Sequence, residues 1–289
     1  MRRILIRAVL LSALAVPVFA QPPAPPLEKE ARVYGQKIHY LESGSSGPVV
    51  ILLHGLGVDS NQWRFTLPTL GGFHVYAPDQ IGFGKSDKPA LNYRVQTLVD
   101  FLDGFYRQAG IQKATLVGNS MGGWVAAAFA LAHPDKVEKL VLVDAAGYSQ
   151  ERWNGPPVTR EELLKLNPAT LGGVRELLGL ILANQMLVND SSVQAGFTQR
   201  LAAGDGHVVN AMIESILRSE DFLDGKLGAL KIPTLIVWGR EDRLLPVAVG
   251  EAFAKDITGA KLTVLDKCGH IPHVECFMPF TKVLADFLR

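Results

Sequence analysis

Apolar residues along the chain fall into short continuous runs separated by longer stretches of helical spacing. The runs are Lys37 to Leu41, Val49 to Leu53, His74 to Ala77, Ala114 to Val117, Leu140 to Val143, Thr234 to Trp238 and Lys261 to Leu265. Runs this short and this uniformly apolar predict strands buried on both faces of a mainly parallel sheet. Arg32 to Tyr34 is a candidate short edge strand. Between the runs, Asn61 to Leu67, Thr97 to Ala109, Val247 to Ile257 and Phe280 to Leu288 read as helices. Strand and helix in alternation predict a doubly wound α/β architecture.

The alternation stops between about Tyr148 and Leu230. No strand run occurs there; instead Arg160 to Leu166, Gly173 to Leu187, Val193 to Ala203 and Val208 to Leu217 have helical character, divided by breakers such as Asn167-Pro168 and Gly204-Asp205-Gly206. The expected layout is a core over residues 31–147 and 231–289, with a helical cap over 148–230.

The N-terminus is organised differently. Arg2, Arg3 and Arg7 precede an apolar run from Ala8 to Ala20, and Val18-Phe19-Ala20 fits a small-residue cleavage site. Residues 1–20 therefore read as a secretory signal peptide, shorter than the ~20 apolar residues of a spanning helix. Residues 21–30 read as a Pro-rich spacer. The expectation is a secreted or periplasmic protein with no stable membrane span in its mature form. Over all 289 residues, 29 Lys and Arg nearly balance 28 Asp and Glu. No basic stripe lies outside the extreme N-terminus, so a nucleic-acid partner is not expected. Cys268 and Cys276 are expected to be free buried thiols, because a bridge between them would close a short loop. Oligomeric state is not encoded in any pattern of this kind.

The chemistry centres on Gly118-Asn119-Ser120-Met121-Gly122. A strand run precedes it and the helical run from Trp124 follows. A serine between two glycines on a strand–turn–helix corner is the arrangement of a nucleophile elbow. The rival reading of Ser120 is a helix cap in a Gly-rich turn. A serine hydroxyl needs a base, and the base an orienting carboxylate. His270, just past the last strand run, is the base candidate, with His273 its competitor. Asp242, in the loop after Thr234 to Trp238, is the favoured acid; Asp144 is the main alternative, and Asp266 and Glu241 are weaker rivals. A metal site of Cys268, His270 and His273 is a weak reading, lacking a carboxylate-plus-histidine helix motif. The oxyanion would be held by the N–H of Met121 and that of Leu56 in His54-Gly55-Leu56-Gly57. His54 reads as structural. Gly55 and Trp124, together with the cap residues Leu182 and Met186, are the expected substrate contacts, the cap pair setting specificity.

These motifs, with Asp79-Gln80-Ile81-Gly82-Phe83-Gly84 and Trp238-Gly239-Arg240-Glu241-Asp242-Arg243, resemble the α/β-hydrolase superfamily over roughly residues 35–289. The resemblance implies a mainly parallel eight-stranded sheet flanked by helices, an inserted helical cap, a serine hydrolase mechanism, and no metal or organic cofactor. Gly118-Asn119-Ser120-Met121-Gly122-Gly123 and Cys268-Gly269-His270 are similar to hydrolases that cleave carbon–carbon bonds in aromatic meta-cleavage products. Two features depart from that subfamily: Ile271 follows the histidine where Trp is usual, and the chain carries an export signal. The sequence thus favours a carboxylesterase acting on a small-molecule ester. The alternatives are carbon–carbon hydrolysis of a vinylogous dienoic acid, for which Arg175, Arg200 or Arg218 could hold the carboxylate, and a non-catalytic ligand receptor on the same fold.

Overall fold

A computed structural model describes residues 25–289 apart from 154 and 157. The expected signal peptide, residues 1–20, lies outside the described residues. The chain forms one eight-stranded sheet in the order β1-β2-β4-β3-β5-β6-β7-β8. Its strands are β1 (Leu27–Val33), β2 (Gln36–Ser43), β3 (Val49–Leu53), β4 (His74–Pro78), β5 (Ala114–Asn119), β6 (Val137–Val143), β7 (Thr234–Gly239) and β8 (Lys261–Leu265). β1 pairs antiparallel with β2, and β2 antiparallel with β4; every other pairing is parallel. The central strands are buried along nearly their whole length, which is why they read as unbroken apolar runs.

The edge strand differs from its expectation. β1 begins at Leu27, so the Pro-rich spacer ends before residue 30, and Tyr34 lies in the turn after the strand. Its sequence, LEKEARV, is largely exposed. A solvated edge strand needs no apolar run, and charged side chains protect it from pairing with other chains; its register comes from the hairpin with β2.

Helix α2 (Met121–Ala132) packs on the central strands β3, β5 and β6, and α1 (Val95–Gln108) packs against α2 and the edge strand β1. Between β6 and β7 the described residues carry helices and no strand: α3 (Arg160–Leu164), α4 (Leu171–Ile181), α5 (Asp190–Ala203) and α6 (Gly206–Leu217). α7 (Val247–Asp256), α8 (Pro272–Glu275) and α9 (Phe277–Leu288) complete the chain. The predicted helix over 173–187 stops at Ile181, and Leu182 is already extended (φ −103°, ψ 129°). A separate 3₁₀ turn capped by Asn184 covers Gln185–Leu187. The break is tertiary in origin, because this segment is hydrogen-bonded to the loop after β8. No helix among the described residues is long and apolar enough to cross a membrane.

Candidate active site

Parallel pairing brings the C-terminal ends of β3, β5, β6, β7 and β8 to one edge of the sheet. Ser120 stands at the β5–α2 corner with φ 55° and ψ −122°, a conformation sparsely populated by non-glycine residues. The two flanking glycines are required by space. A Cβ on Gly118 would sit 2.2 Å from the Gly122 carbonyl oxygen, and one on Gly122 would sit 2.3 Å from that of Leu53. The strained corner is locked by backbone bonds. The Ser120 N–H donates to Val143 O (3.0 Å), and the Ser120 carbonyl accepts from Ala146 N (3.0 Å). Its side chain makes no cap bond to α2, against the helix-cap reading.

His270 and Asp242 meet from the loops after β8 and β7. Nδ1 of His270 lies 2.7 Å from Oδ2 of Asp242, and both side chains are buried. The other carboxylate oxygen of Asp242 accepts the N–H groups of Leu244 (2.8 Å) and Leu245 (2.9 Å). Three donors hold the carboxylate in one orientation. It fixes the proton on Nδ1 and leaves Nε2 as the basic nitrogen. Of the rival acids, Asp266 is exposed and pairs with Arg240, and Glu241 accepts from the Cys268 N–H. Asp144 is buried beside Asp242.

Met121 is the first residue of α2, so its N–H lacks an intrahelical acceptor. Leu56 lies in the loop after β3, and both residues line the same cavity as Ser120 and His270. His54 lies beneath that loop. Its Nε2 accepts from the Gln80 N–H (3.0 Å), so its Nδ1 donates to Gly55 O (2.8 Å).

Several residues that hold the site together escaped the sequence reading. The amide of Asn119 donates to Val143 O and to His270 O, both at 3.0 Å. Its oxygen accepts from Gln62 Nε2 (2.6 Å), and Gln62 Oε1 in turn accepts the Gly55 N–H (3.0 Å). One side-chain relay therefore spans the histidine loop, the elbow and the oxyanion loop. Glu275 clamps the cap from the other side. It accepts N–H groups from Gly269 (2.8 Å), Ala183 (3.0 Å) and Asn184 (2.6 Å). The His270 N–H donates to Ile181 O (2.8 Å). A Cβ on Gly269 would lie 2.3 Å from that same oxygen, so only glycine admits the approach. These contacts are long-range and leave no periodicity to read, although a lone Glu three residues after a Pro is visible once the cap is known to reach it.

The cavity measures about 560 Å³. Core residues Gly55, Leu56, Met121 and Trp124 line it, as do Leu177, Leu178 and Ile181 of α4. Trp124 is held parallel to Phe222, with ring centroids 5.1 Å apart. Neither Leu182 nor Met186 lines the cavity. Met186 is 86% exposed, because the end of α4 at Ile181 rotates the residues beyond it off the helical face on which they were expected. The lining positions belong to the preceding turn of the helix.

Of the three arginines named above as carboxylate candidates, Arg175 is exposed and pairs with Asp190, and Arg218 is exposed and pairs with Glu220. Arg200 lines the cavity. Its guanidinium donates to Gly57 O (2.9 Å) and Asn167 Oδ1 (2.8 Å) and pairs with buried Asp205 (2.8 Å), while its buried Nε has no partner.

The expectation of two free thiols is corrected: Cys268 and Cys276 form a disulfide, with Cα atoms 5.9 Å apart. Cys276 follows the single turn of α8 rather than sitting inside a long helix, and that turn folds it back over Cys268. The bridge removes the thiolate that a site of Cys268, His270 and His273 would need. His273 is buried against Trp63, its ring 4.2 Å away. Burial, with the neighbouring His270 charge second, pushes its pKa down to about 3, so it stays neutral.

Comparison with known proteins agrees with this architecture. The family model described as the alpha/beta hydrolase fold matches residues 48–202 and 215–276. A 2-hydroxymuconate semialdehyde hydrolase of Pseudomonas sp. (strain CF600) is 31% identical over 280 residues, covering 92% of this chain and 95% of that protein. A 2-hydroxy-6-oxo-6-phenylhexa-2,4-dienoate hydrolase of Burkholderia cepacia is 32% identical over 263 residues, with 87% and 91% covered. The structure of a meta-cleavage product hydrolase from Pseudomonas fluorescens IP01 superposes with a TM-score of 0.81 at 31% identity, covering 90% of this chain and 97% of that one. These relatives overturn the carboxylesterase reading. Ile271 and the expected export signal speak against the carbon–carbon hydrolases, but two local features count for less than similarity over nearly the whole chain. The chain belongs to the α/β-hydrolase fold family, and it is a hydrolase.

Proposed function

We propose that this protein hydrolyses a carbon–carbon bond beside the ketone of a vinylogous dienoic acid. The observation that carries the reading is that relatives about 30% identical over nearly their whole length bear names of such enzymes. The site is chemically suited to it. Ser120 Oγ attacks the ketone carbonyl as His270 takes its proton. The N–H groups of Leu56 and Met121 receive the oxyanion. Asp242 stabilises the imidazolium and keeps its orientation. The 2-hydroxydiene first tautomerises to its 2-oxo form, C5 gaining a proton and the 2-hydroxyl losing one, so that when the tetrahedral adduct collapses the C5–C6 bond breaks and its electron pair delocalises through C3=C4 onto the 2-oxo group as a dienolate. His270 returns the proton to that fragment, and water then releases the acyl group from Ser120. What separates this from ester cleavage is the leaving group, a carbon whose charge must be delocalised. Recognition of the distal carboxylate is therefore valuable; Lys165, Arg200 and Arg243 line the cavity, and because Lys165 pairs with Glu176 and Arg200 with buried Asp205, Arg243, bonded to the carbonyls of Gly179 and Leu182, is the cation placed for it.

The test follows the loss of absorbance of 2-hydroxy-6-oxo-6-phenylhexa-2,4-dienoate. Wild type turns it over, and Ser120→Ala lowers kcat by at least ~10³. Arg243→Ala raises KM more than it lowers kcat. No turnover of this or a related dienoate by folded wild-type protein rejects the proposal.

A further inference from the structure

Asp144, the residue after β6, has no role in the mechanism above, yet it stands at its centre. It is fully buried, with backbone φ 42°, and its N–H is bonded to Val237 O (3.0 Å). Its Oδ1 accepts the Gly239 N–H at 2.8 Å; its Oδ2 is buried with no partner. One side-chain polar atom from each of Asp144, Asp242 and His270 lies within 4.8 Å of the other two. Two carboxyl groups thus share one dry site, and like charges this close do not both ionise. The surrounding donors decide which does. Asp242 receives two backbone N–H groups and the imidazole N–H; Asp144 receives one N–H. The proton of the pair therefore settles on Asp144. Burial first, and then the Asp242 charge, push the Asp144 carboxyl well above the usual carboxylate range, against a weaker downward pull from the Gly239 N–H. Protonation also removes the anomaly of the orphaned oxygen, because Oδ2 becomes a donor beside Asp242. If Asp144 merely tied down the Gly239 N–H, Oδ2 would stay unsatisfied, at a cost that buried polar atoms rarely carry.

We propose that Asp144 is a positioning residue that acts as a neutral acid, donating its Oδ2 proton to Asp242 and fixing that carboxylate against His270. This rests on the triad assigned above. The titratable groups facing Asp144 are Asp242, after β7, and His270, after β8; His273 of α8 lies beyond His270 and is uncharged.

Asp144→Ala removes the donor and is expected to lower kcat about 10-fold or more at nearly constant KM. Asp144→Asn supplies an N–H in the same place, tolerates the positive φ, and recovers most of that loss. The decisive readout is the acid limb of kcat/KM. A neutral Asp144 adds no charge, so Asp144→Asn leaves the limb where wild type has it. An ionised Asp144 would raise the His270 pKa, and Asp144→Asn would then move the limb down by more than about one pH unit. That shift, or an unchanged kcat in Asp144→Ala, overturns the proposal. Infrared spectroscopy without substrate gives an independent measure: the carbonyl stretch of a protonated carboxyl at neutral pH, present in wild type and missing in Asp144→Asn. Absence of the band in wild type overturns the proposal even if Asp144→Ala fails to fold. A wild type that shows the band but ignores dienoates rejects only the substrate assignment.

Discussion

Glu275→Ala is the perturbation that most directly tests how the cap and the proposed base His270 are joined. The carboxylate of Glu275 collects three N–H groups, from Gly269 next to His270 and from Ala183 and Asn184 just beyond α4. Hydrogen bonds to a charged acceptor contribute ~1.5–3 kcal/mol each when buried. Glu275 is only half-buried and its three bonds are not additive, so the loss is about 3 kcal/mol in total. For a domain of this size that is a drop in Tm of roughly 6–12 °C. The kinetic effect is separate. Gly269 is packed against Ile181 O with no room for a Cβ, and its release lets the His270 backbone drift. A displacement of about 1 Å costs up to ~10² in rate, so kcat should fall 10- to 100-fold. Glu275→Gln keeps the shape but turns one acceptor into a donor facing an N–H group, and should lie between wild type and Glu275→Ala in both measures. Thermal unfolding and steady-state dienoate kinetics on the three proteins are the assay. If Glu275→Ala melts within about 2 °C of wild type and keeps its kcat, the clamp does not position the histidine and the argument fails.

Acid should weaken the fold through His273. Its folded pKa of about 3 lies below the unfolded value, so the unfolded chain binds the proton first and stability falls as pH drops from about 6.5 towards 3. The loss reaches on the order of 2 kcal/mol near pH 5, and His273→Phe should abolish it; equal differences between denaturant midpoints at neutral and acidic pH in both proteins would show that His273 is not the cause. Reducing the Cys268–Cys276 bridge, which links residues 8 apart, should remove about 2.5 kcal/mol by loop entropy and slow turnover, because His270 lies inside the loop. Two titratable thiols in the native, non-reduced protein would exclude the bridge.

Much of the site was legible in the sequence because its determinants are local. The Ser120 corner is dictated by steric rules acting over five residues, so the glycines announce it. Strands buried on both faces must be apolar throughout, so β3, β5, β6 and β7 are visible as runs, and the loops after them could be named in order. β1 was misjudged because a solvated edge strand is set by its hairpin partner and carries no hydrophobic signature. Leu182 and Met186 were misplaced because helical periodicity continues past Ile181 in the sequence, whereas the chain is pulled into extended form by bonds to Glu275 and His270. Asp144 and Asp242 could not be separated by position, since each follows a strand. What divides their roles is the number of N–H donors reaching each carboxylate, and those donors come from distant loops. Position alone likewise does not tell that Arg200 lines the cavity while Arg175 and Arg218 do not. A sequence specifies which residues can curl, extend or be buried from their near neighbours alone. Which side chains share a dry space depends on the register of parallel strands, Val143 beside Val237 and Gly239 beside Leu265, and that register exists only once the sheet has formed.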